Sequence, residues 1–449
     1  MMRKPLLSVL FLLSACSTPN PATPNVQTAQ NAVYEAQSRL YDLSDAADPE
    51  QARRQFDQAM AIGAVNTEYW VFPLEGALQA GNQELFRYFA AKESQIPGAK
   101  LKDLGFDLLA AAAAYKDSSM LAWLLEDPEW KSLGFTLAEK PSRYGPDYIY
   151  PVGTACSAGC TTVYQSEPGQ EVGYESVLMH AVSRASLTNL EWMLQHGASL
   201  DTLDTQKANV LNYAVASKRQ ELVDFFLQKG LKLNPDKSYP PLLTAVSNYD
   251  KEMFLYLLAK GANLDAASQV GDWDPTGDSG LKSTVLSLAL QSLWNFDLFR
   301  TVLEKGATPD KAVYAGALHN FLASAYFYEE NEKQALELLL KYKPNLEVRD
   351  AQGRTPLQKF ILANNGRSFE IFERLIEAGA DIRAADNHGK TVLMYAAEAN
   401  SLPYLELLFA RGIGPDLGVK DLQGRTARDY AASYGPNEAA RYLESIPRL

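Results

Sequence analysis

One short phrase recurs at a near-constant interval toward the C-terminus, and it constrains the fold more than any property of the whole chain. DAQGRTPLQKF begins at Asp350, DNHGKTVLMYAA at Asp386 and DLQGRTARDYAA at Asp421. Their threonines, Thr355, Thr391 and Thr426, lie 36 and 35 residues apart. The first two phrases each lead into a more apolar pattern, FEIFERLIEAGADI and LPYLELLFARGIGPD. That second pattern recurs upstream as LEWMLQHGASLD, ELVDFFLQKGLKLN, MFLYLLAKGANLD and FRTVLEKGATPD, with Gly197, Gly230 and Gly261 spaced 33 and 31 apart. A unit of this length cannot bury its apolar face alone, so copies must stack to complete a core.

Each position in the phrase has a physical role. Asp and Gly shape a β-turn, in which Gly can take a positive φ. Thr closes the turn and caps a first helix, and Pro356 stands at the first helical position, where its missing N–H is harmless. Leu357 and Leu393 point into a core, and small residues such as Ala396 and Ala397 let two helices approach closely. A second helix follows and a glycine ends it. The phrase and its period resemble the ankyrin repeat, marked by D-x-x-G-x-T-P-L-H-x-A and L-L-x-x-G-A-D. The resemblance implies an all-α fold: a solenoid of stacked helix-turn-helix units with short β-turn fingers. First helices are placed at Leu178, Leu211, Leu242, Leu286, near Leu322, at Leu357, at Leu393 and near Arg428. Gln358 and Met394 stand where the family has His, so its hydrogen bonds between neighbouring turns are expected to be lost there.

The repeats define the organisation of the 449 residues. Residues 33–67 read as an N-terminal helical cap, 68–129 as degenerate repeats around Leu74 and Leu108, and 174–449 as the array. Between them, 130–173 is rich in Tyr, Gly and Pro and reads as one long hairpin-like insertion. It contains Cys156 and Cys160, for which an oxidising compartment favours a small-loop disulfide over free thiols. A metal site would need further ligands nearby.

The N-terminus adds location. MMRK is basic, PLLSVLFLLSA is apolar but too short to cross a bilayer, and LSAC places Cys16 after small residues, so residues 1–15 read as a signal peptide. LSAC resembles the lipobox of bacterial lipoproteins. That resemblance implies cleavage before Cys16, its acylation and, with Ser17 following, sorting to the outer membrane of a Gram-negative cell, facing the periplasm. Residues 16–32 are rich in Pro, Thr and Asn and are expected to form an extended tether. The net charge is -12, and loss of Arg3 and Lys4 with the leader takes it to -14. Such an acidic body repels phosphate backbones, which speaks against nucleic acid and mildly for a basic protein partner.

In an ankyrin-type array, recognition lies in variable side chains on the concave first helices and turn tips. By register with Tyr395 the helix positions are His180, Tyr213, Thr244, Leu288 and Lys359. Gln352, Asn387 and His388 occupy turn tips, and Tyr213 and Tyr395 read as the anchors. His388 falls on a variable turn position, which makes it architecture or contact surface and not a catalytic group. The segment DWDPTGD offers Asp272, Asp274, Thr276 and Asp278 in the spacing of a calcium loop, but Ser283 stands where its closing Glu belongs. A solvated acidic turn is the simpler reading. Nothing calls for a cofactor, and no G-x-S-x-G, Walker or H-E-x-x-H pattern is present. The expected function is protein binding by a lipid-anchored scaffold, an envelope adaptor or a toxin-immunity protein. The competing reading is a hydrolase that uses groove carboxylates or a calcium-supported site.

Overall fold

A computed structural model describes residues 24–42, 48–138, 175–268, 284–290, 295–307, 317–323, 329–363, 369–433, 435 and 437–447. Cys16, Cys156, Cys160 and the 272–278 loop lie outside the described residues. The chain divides into two compact units, Met1–Gly145 with Ser176–Ser199, and Pro146–Glu175 with Leu200–Leu449. Among the described residues the regular structure is helical, relieved by isolated bridges such as Ala385 with Thr391. No helix among them is long and apolar enough to cross a membrane.

In the first unit, helices Pro24–Asp42 and Pro49–Ala61 pack on each other. Asp48 caps the second by accepting from the Glu50 and Gln51 amides, and Phe56 and Leu40 are buried. The helix from Pro24 overlaps the stretch expected to be an extended tether. Beyond Pro24 the sequence NVQTAQNAVYEAQSRL has neither Gly nor Pro to break it, and its Val33, Ala36, Gln37 and Leu40 share the less exposed face. The degenerate repeats are helix pairs, Val71–Gln79 with Gln83–Ala90 and Gly105–Ala113 with Ser119–Glu126. Leu74 and Leu108 are fully buried. Gly105–Ala113 packs directly against Val177–Ala181. Asn189 strengthens the junction by donating to the carbonyls of Ala113 and Tyr115 at 2.9 and 2.6 Å.

The second unit shows seven helix pairs among its described residues, from Val210–Ala216 with Gln220–Gln228 to Ala427–Ala432 with Glu438–Ser445. First helices pack on first helices along the stack, and the second helices flank them. This explains their compositions. Every residue from Val392 to Ala397 is buried, because that helix is enclosed by the neighbouring repeats and by its own partner. Its partner, Leu402–Ala410, buries only Tyr404, Leu405 and Leu408. Gly379 ends one such outer helix at φ 101°. Thr355, Thr391 and Thr426 all cap first helices through capping boxes, as the phrase predicts.

One register assignment changes and another holds. The helix expected near Leu322 spans Ala317–Ala323, and Leu318 is its counterpart of Leu357, because the next residue, His319, reaches the following turn as Gln358 does. At the other end Arg428 holds the Leu position, and its guanidinium donates to the carbonyls of Leu443 and Ile446 at 3.1 and 2.8 Å.

The turn opened by Asp204 belongs to the same series, although its sequence DTQKAN lacks the glycine. Lys207 takes φ 63° where Gly353, Gly389 and Gly424 take 76°, 75° and 80°. A side chain in that region carries a steric penalty of roughly 1–2 kcal/mol. Lys207→Gly is therefore expected to raise stability by about 0.5–1 kcal/mol, net of the greater freedom of glycine in the unfolded chain. The reverse change, Gly353→Ala, would bring a Cβ 2.1 Å from Asn387 Oδ1 and 2.9 Å from its backbone nitrogen. It is expected to destabilise by about 1–3 kcal/mol, both shifts being read from denaturant midpoints at constant m.

Candidate functional site

Among the described residues four fingers are each built around one carboxylate. Asp386 Oδ1 accepts from the amides of His388 and Lys390, both at 2.8 Å. Asp350 serves Gln352 and Arg354 in the same way, Asp421 serves Gln423 and Arg425, and Asp204 serves Gln206 and Ala208. The second oxygen looks toward the first helix. Tyr395 donates to Asp386 Oδ2 at 2.7 Å, Tyr430 to Asp421 at 2.7 Å and Tyr213 to Asp204 at 3.1 Å, each nine residues on. In the Asp350 repeat that position is Lys359, and Arg354 Nε occupies the oxygen at 2.6 Å instead. A carboxylate saturated by backbone amides and a phenol locks its turn and is spent as a chemical group.

Neighbouring fingers are then tied backbone to backbone. Asn387 N–H donates to the Gln352 carbonyl at 3.0 Å, and Leu422 N–H to the His388 carbonyl at 2.9 Å. One layer inside, polar side chains span the repeats a second time. Gln358 accepts from the Thr355 amide and donates through Nε2 to the carbonyls of Ala384 and Lys390, at 2.9 and 3.1 Å. Asn212 does the same toward the Tyr239 carbonyl and Thr244 Oγ1, and His319 Nε2 bonds the Arg354 carbonyl at 2.9 Å. The expected loss of inter-turn bonds at Gln358 is thus overturned: a carboxamide carries both an acceptor and a donor and substitutes for imidazole. At Met394 the thioether sulfur accepts from Thr391 N–H at 3.4 Å and has no hydrogen to give.

The sequence-derived candidates separate by environment. Gln352, Asn387 and His388 are exposed at finger tips, as is Leu422, at 78% the most exposed large apolar residue described, which motif reading passed over. His388 contributes its main chain to the ladder and presents its ring outward. His180 is exposed, with its ring centroid 5.5 Å from that of Phe106, and Leu288 is half-buried. Thr244 and Lys359 are buried. Tyr213 and Tyr395 are not free-standing anchors. Tyr395 is 5% exposed, and the phenol of Tyr213 lies between Asp204 and Glu175, at 3.1 and 2.9 Å. The spacing of nine from Asp to Tyr was visible in the sequence and is the signal that identifies these rings as turn locks.

Electrostatics follow from this geometry. Burial, reinforced by Asp386, pushes the Tyr395 phenol far above its usual range, and burial with Asp421 raises Tyr430 to about 12. Both therefore remain donors. Burial opposes charge on Asp421, but hydrogen bonds from Tyr430, Arg425 and Gln423 outweigh it and hold the carboxyl at about 2. Around these groups Lys390 sits 4.2 Å over the Tyr395 ring and 4.4 Å over Tyr430, while pairing with Glu398, and Arg425 lies 4.3 Å over Tyr430. Among the described residues no group of three or more His, Cys, Asp or Glu side chains is placed to hold a metal ion.

With fold and ladder in view, comparison with known proteins gives the class. A family model described as ankyrin repeats matches residues 178–268, 321–421 and 360–445. The chain carries ankyrin repeats over these residues. It is similar to mouse NF-kappa-B inhibitor delta, 31% identical over 197 residues, covering 40% of this chain and 54% of that one. It is similar to mouse ankyrin repeat domain-containing protein 37, 42% identical over 97 residues, covering 22% and 58%. It also matches the phosphocholine transferase AnkX of Legionella pneumophila, 27% identical over 212 residues, covering 45% and 22%. The chain thus spans between about a fifth and three fifths of these relatives. Among solved structures, the human ASB11 ankyrin repeat domain aligns with a TM-score of 0.40 and 20% identity, over 53% of this chain and 98% of that domain.

Two tests of the ladder follow. Tyr395→Phe removes a hydrogen bond to a charged group and is expected to cost about 1.5–3 kcal/mol, read as a lower denaturant midpoint. His319 is held to about 4 by burial, against the opposing pull of the Arg354 carbonyl. Its folded value lies below the ordinary 6.5, so the unfolded state binds the extra proton between the two. The neutral-histidine contribution is complete above about pH 6.5 and is lost as pH falls toward 4, with about 2 kcal/mol gone between pH 7 and pH 5. His319→Gln keeps a donor to Arg354, as in Gln358, and is expected to flatten that slope in denaturation curves taken across this range.

Proposed function

We propose that the chain is a lipid-anchored scaffold of the bacterial envelope that binds a partner protein through its finger tips and the adjoining first-helix face. The observation that carries the binding half is the commitment of the polar groups behind the tips. Asp204, Asp350, Asp386 and Asp421 spend both carboxylate oxygens on their own turns and on neighbouring side chains. Gln352, Asn387, His388 and Leu422 are then displayed on a backbone already held in place. A surface fixed before contact loses little entropy on binding. The same commitment weighs against these carboxylates as hydrolytic groups. The ankyrin family supports protein recognition in general. The LSAC motif at Cys16 supports an outer-membrane lipid anchor facing the periplasm, and the net charge of -12 favours a basic partner. An envelope adaptor and a toxin-immunity protein both fit this description, and the identity of the partner separates them.

The test is crosslinking in intact cells, followed by mass spectrometry of the purified membrane-bound protein. One discrete partner is expected, and its adduct should fall at least several-fold in a double variant, Asn387→Arg with Leu422→Asp, both changes being at exposed positions. Cys16→Ser is expected to move the protein from the membrane to the soluble fraction. An adduct untouched by the finger substitutions would remove the binding reading. Unchanged membrane retention of Cys16→Ser would remove the anchor.

A further inference from the structure

The ladder between fingers runs in one direction and reaches an unshared carbonyl. Two steps set its rule. The amide one residue after a turn aspartate donates to the carbonyl two residues after the aspartate of the preceding finger: Asn387 to Gln352 at 3.0 Å, and Leu422 to His388 at 2.9 Å. By the same count the next acceptor is the Gln423 carbonyl. Its turn is closed as the others are. The Asp350, Asp386 and Asp421 amides donate to the carbonyls of Arg354, Lys390 and Arg425 at 3.1, 3.1 and 2.9 Å, and the turn glycines hold φ of 76°, 75° and 80°. The Gln423 carbonyl is therefore fixed as its counterparts are, yet among the described residues no amide reaches it.

The same glycines gauge what lies on each finger. A Cβ on Gly353 would stand 2.1 Å from Asn387 Oδ1, and one on Gly389 would stand 3.2 Å from the Leu422 nitrogen. On Gly424 it would meet nothing within 4 Å. The side of a finger that carries the next finger is thus uncovered at the Asp421 turn alone of these three. Composition changes at the same place. The residue after the aspartate is Ala351, then Asn387, then Leu422, and Leu422 is 78% exposed. A finger that only closed the stack against water is expected to carry a polar side chain there. A locked turn with an unshared carbonyl and a large apolar side chain is instead a template for an added strand, in which main-chain bonds give affinity and the side chain selects.

We infer that the Asp421 finger is an edge-docking site. An extended segment of a partner protein lies on it as a further finger would, giving a backbone N–H to the Gln423 carbonyl and an apolar side chain to Leu422. The inference rests on the binding reading above and narrows it from the tips in general to one edge. Continuity with the ladder selects the occupant. A second copy arriving finger to finger would bring another Gln423 carbonyl, and its Leu422 amide is already given to His388, so acceptor would face acceptor. A strand with unshared N–H groups supplies what that pairing lacks.

Photo-crosslinking of the full-length chain in intact cells tests it. The probe is p-benzoylphenylalanine at Leu422, with Gln352, an exposed tip two fingers away, as the reference position. Irradiation is expected to give one partner adduct from position 422 at several-fold the yield from position 352. Gly424→Ala in the chain that bears the probe at 422 should lower that yield several-fold, because its methyl stands on the side where a further finger would rest. Gly412→Ala is the matched control. Its φ is 86° and its Cβ would also meet nothing within 4 Å, so it carries the same kind of backbone strain at the end of the outer helix Leu402–Ala410. That variant should keep the parent yield. Equal adducts at 422 and 352, indifferent to Gly424→Ala, would overturn the edge while leaving tip recognition standing. Equal losses from the two glycine variants would overturn it in favour of strain, and a second copy of this chain in the adduct would overturn the choice of occupant. Absence of an adduct at both positions would overturn edge and tips together.

Discussion

The carboxylate that opens four of its turns is the interaction on which the second unit rests. A four-residue reversal leaves two amides pointing inward with no helix or strand to receive them, and an unpaired buried amide costs more than a hydrogen bond returns. Asp204, Asp350, Asp386 and Asp421 each collect both amides on one oxygen. With its turn closed, the finger holds the threonine or asparagine that starts the first helix at the correct angle, and the helix returns a phenol to the second oxygen in three of the four. Where Lys359 replaces the phenol, an arginine from the turn itself takes over. Geometry is conserved between repeats although the chemistry that closes it is exchanged.

The same exchange of parts governs the links between repeats. Gln358, Asn212 and His319 sit one residue after the core leucine and reach carbonyls of the next repeat. Met394 cannot, and at that step the fingers rely on Leu422 N–H bonded to the His388 carbonyl. Stability of a stacked array is a sum of unit and interface contributions, so one weak interface is tolerated when its neighbours hold. The stiffness this produces is what binding requires, since tips that move must be ordered at the moment of contact.

In the second unit four turns are buttressed by carboxylates that are paired on both oxygens, and the tips Gln352, Asn387, His388 and Leu422 are exposed in front of them. Asp386 is absorbed into its turn, whereas its neighbour His388 gives the turn only its main chain and keeps its ring outward.

The sequence by itself determined the repeat, its helix pairs, the threonine caps and the turn aspartates, because each of these acts over a dozen residues or fewer and leaves a fixed spacing behind. Even the nine-residue step from Asp386 to Tyr395 was legible in that sense. Tertiary structure alone decided that Leu318 and not Leu322 sets the register and that Gln358 preserves the link across turns. Those outcomes depend on carbonyls 26 to 35 residues away, brought near only when whole repeats stack. A local pattern carries no record of which lone pair will arrive from the next copy.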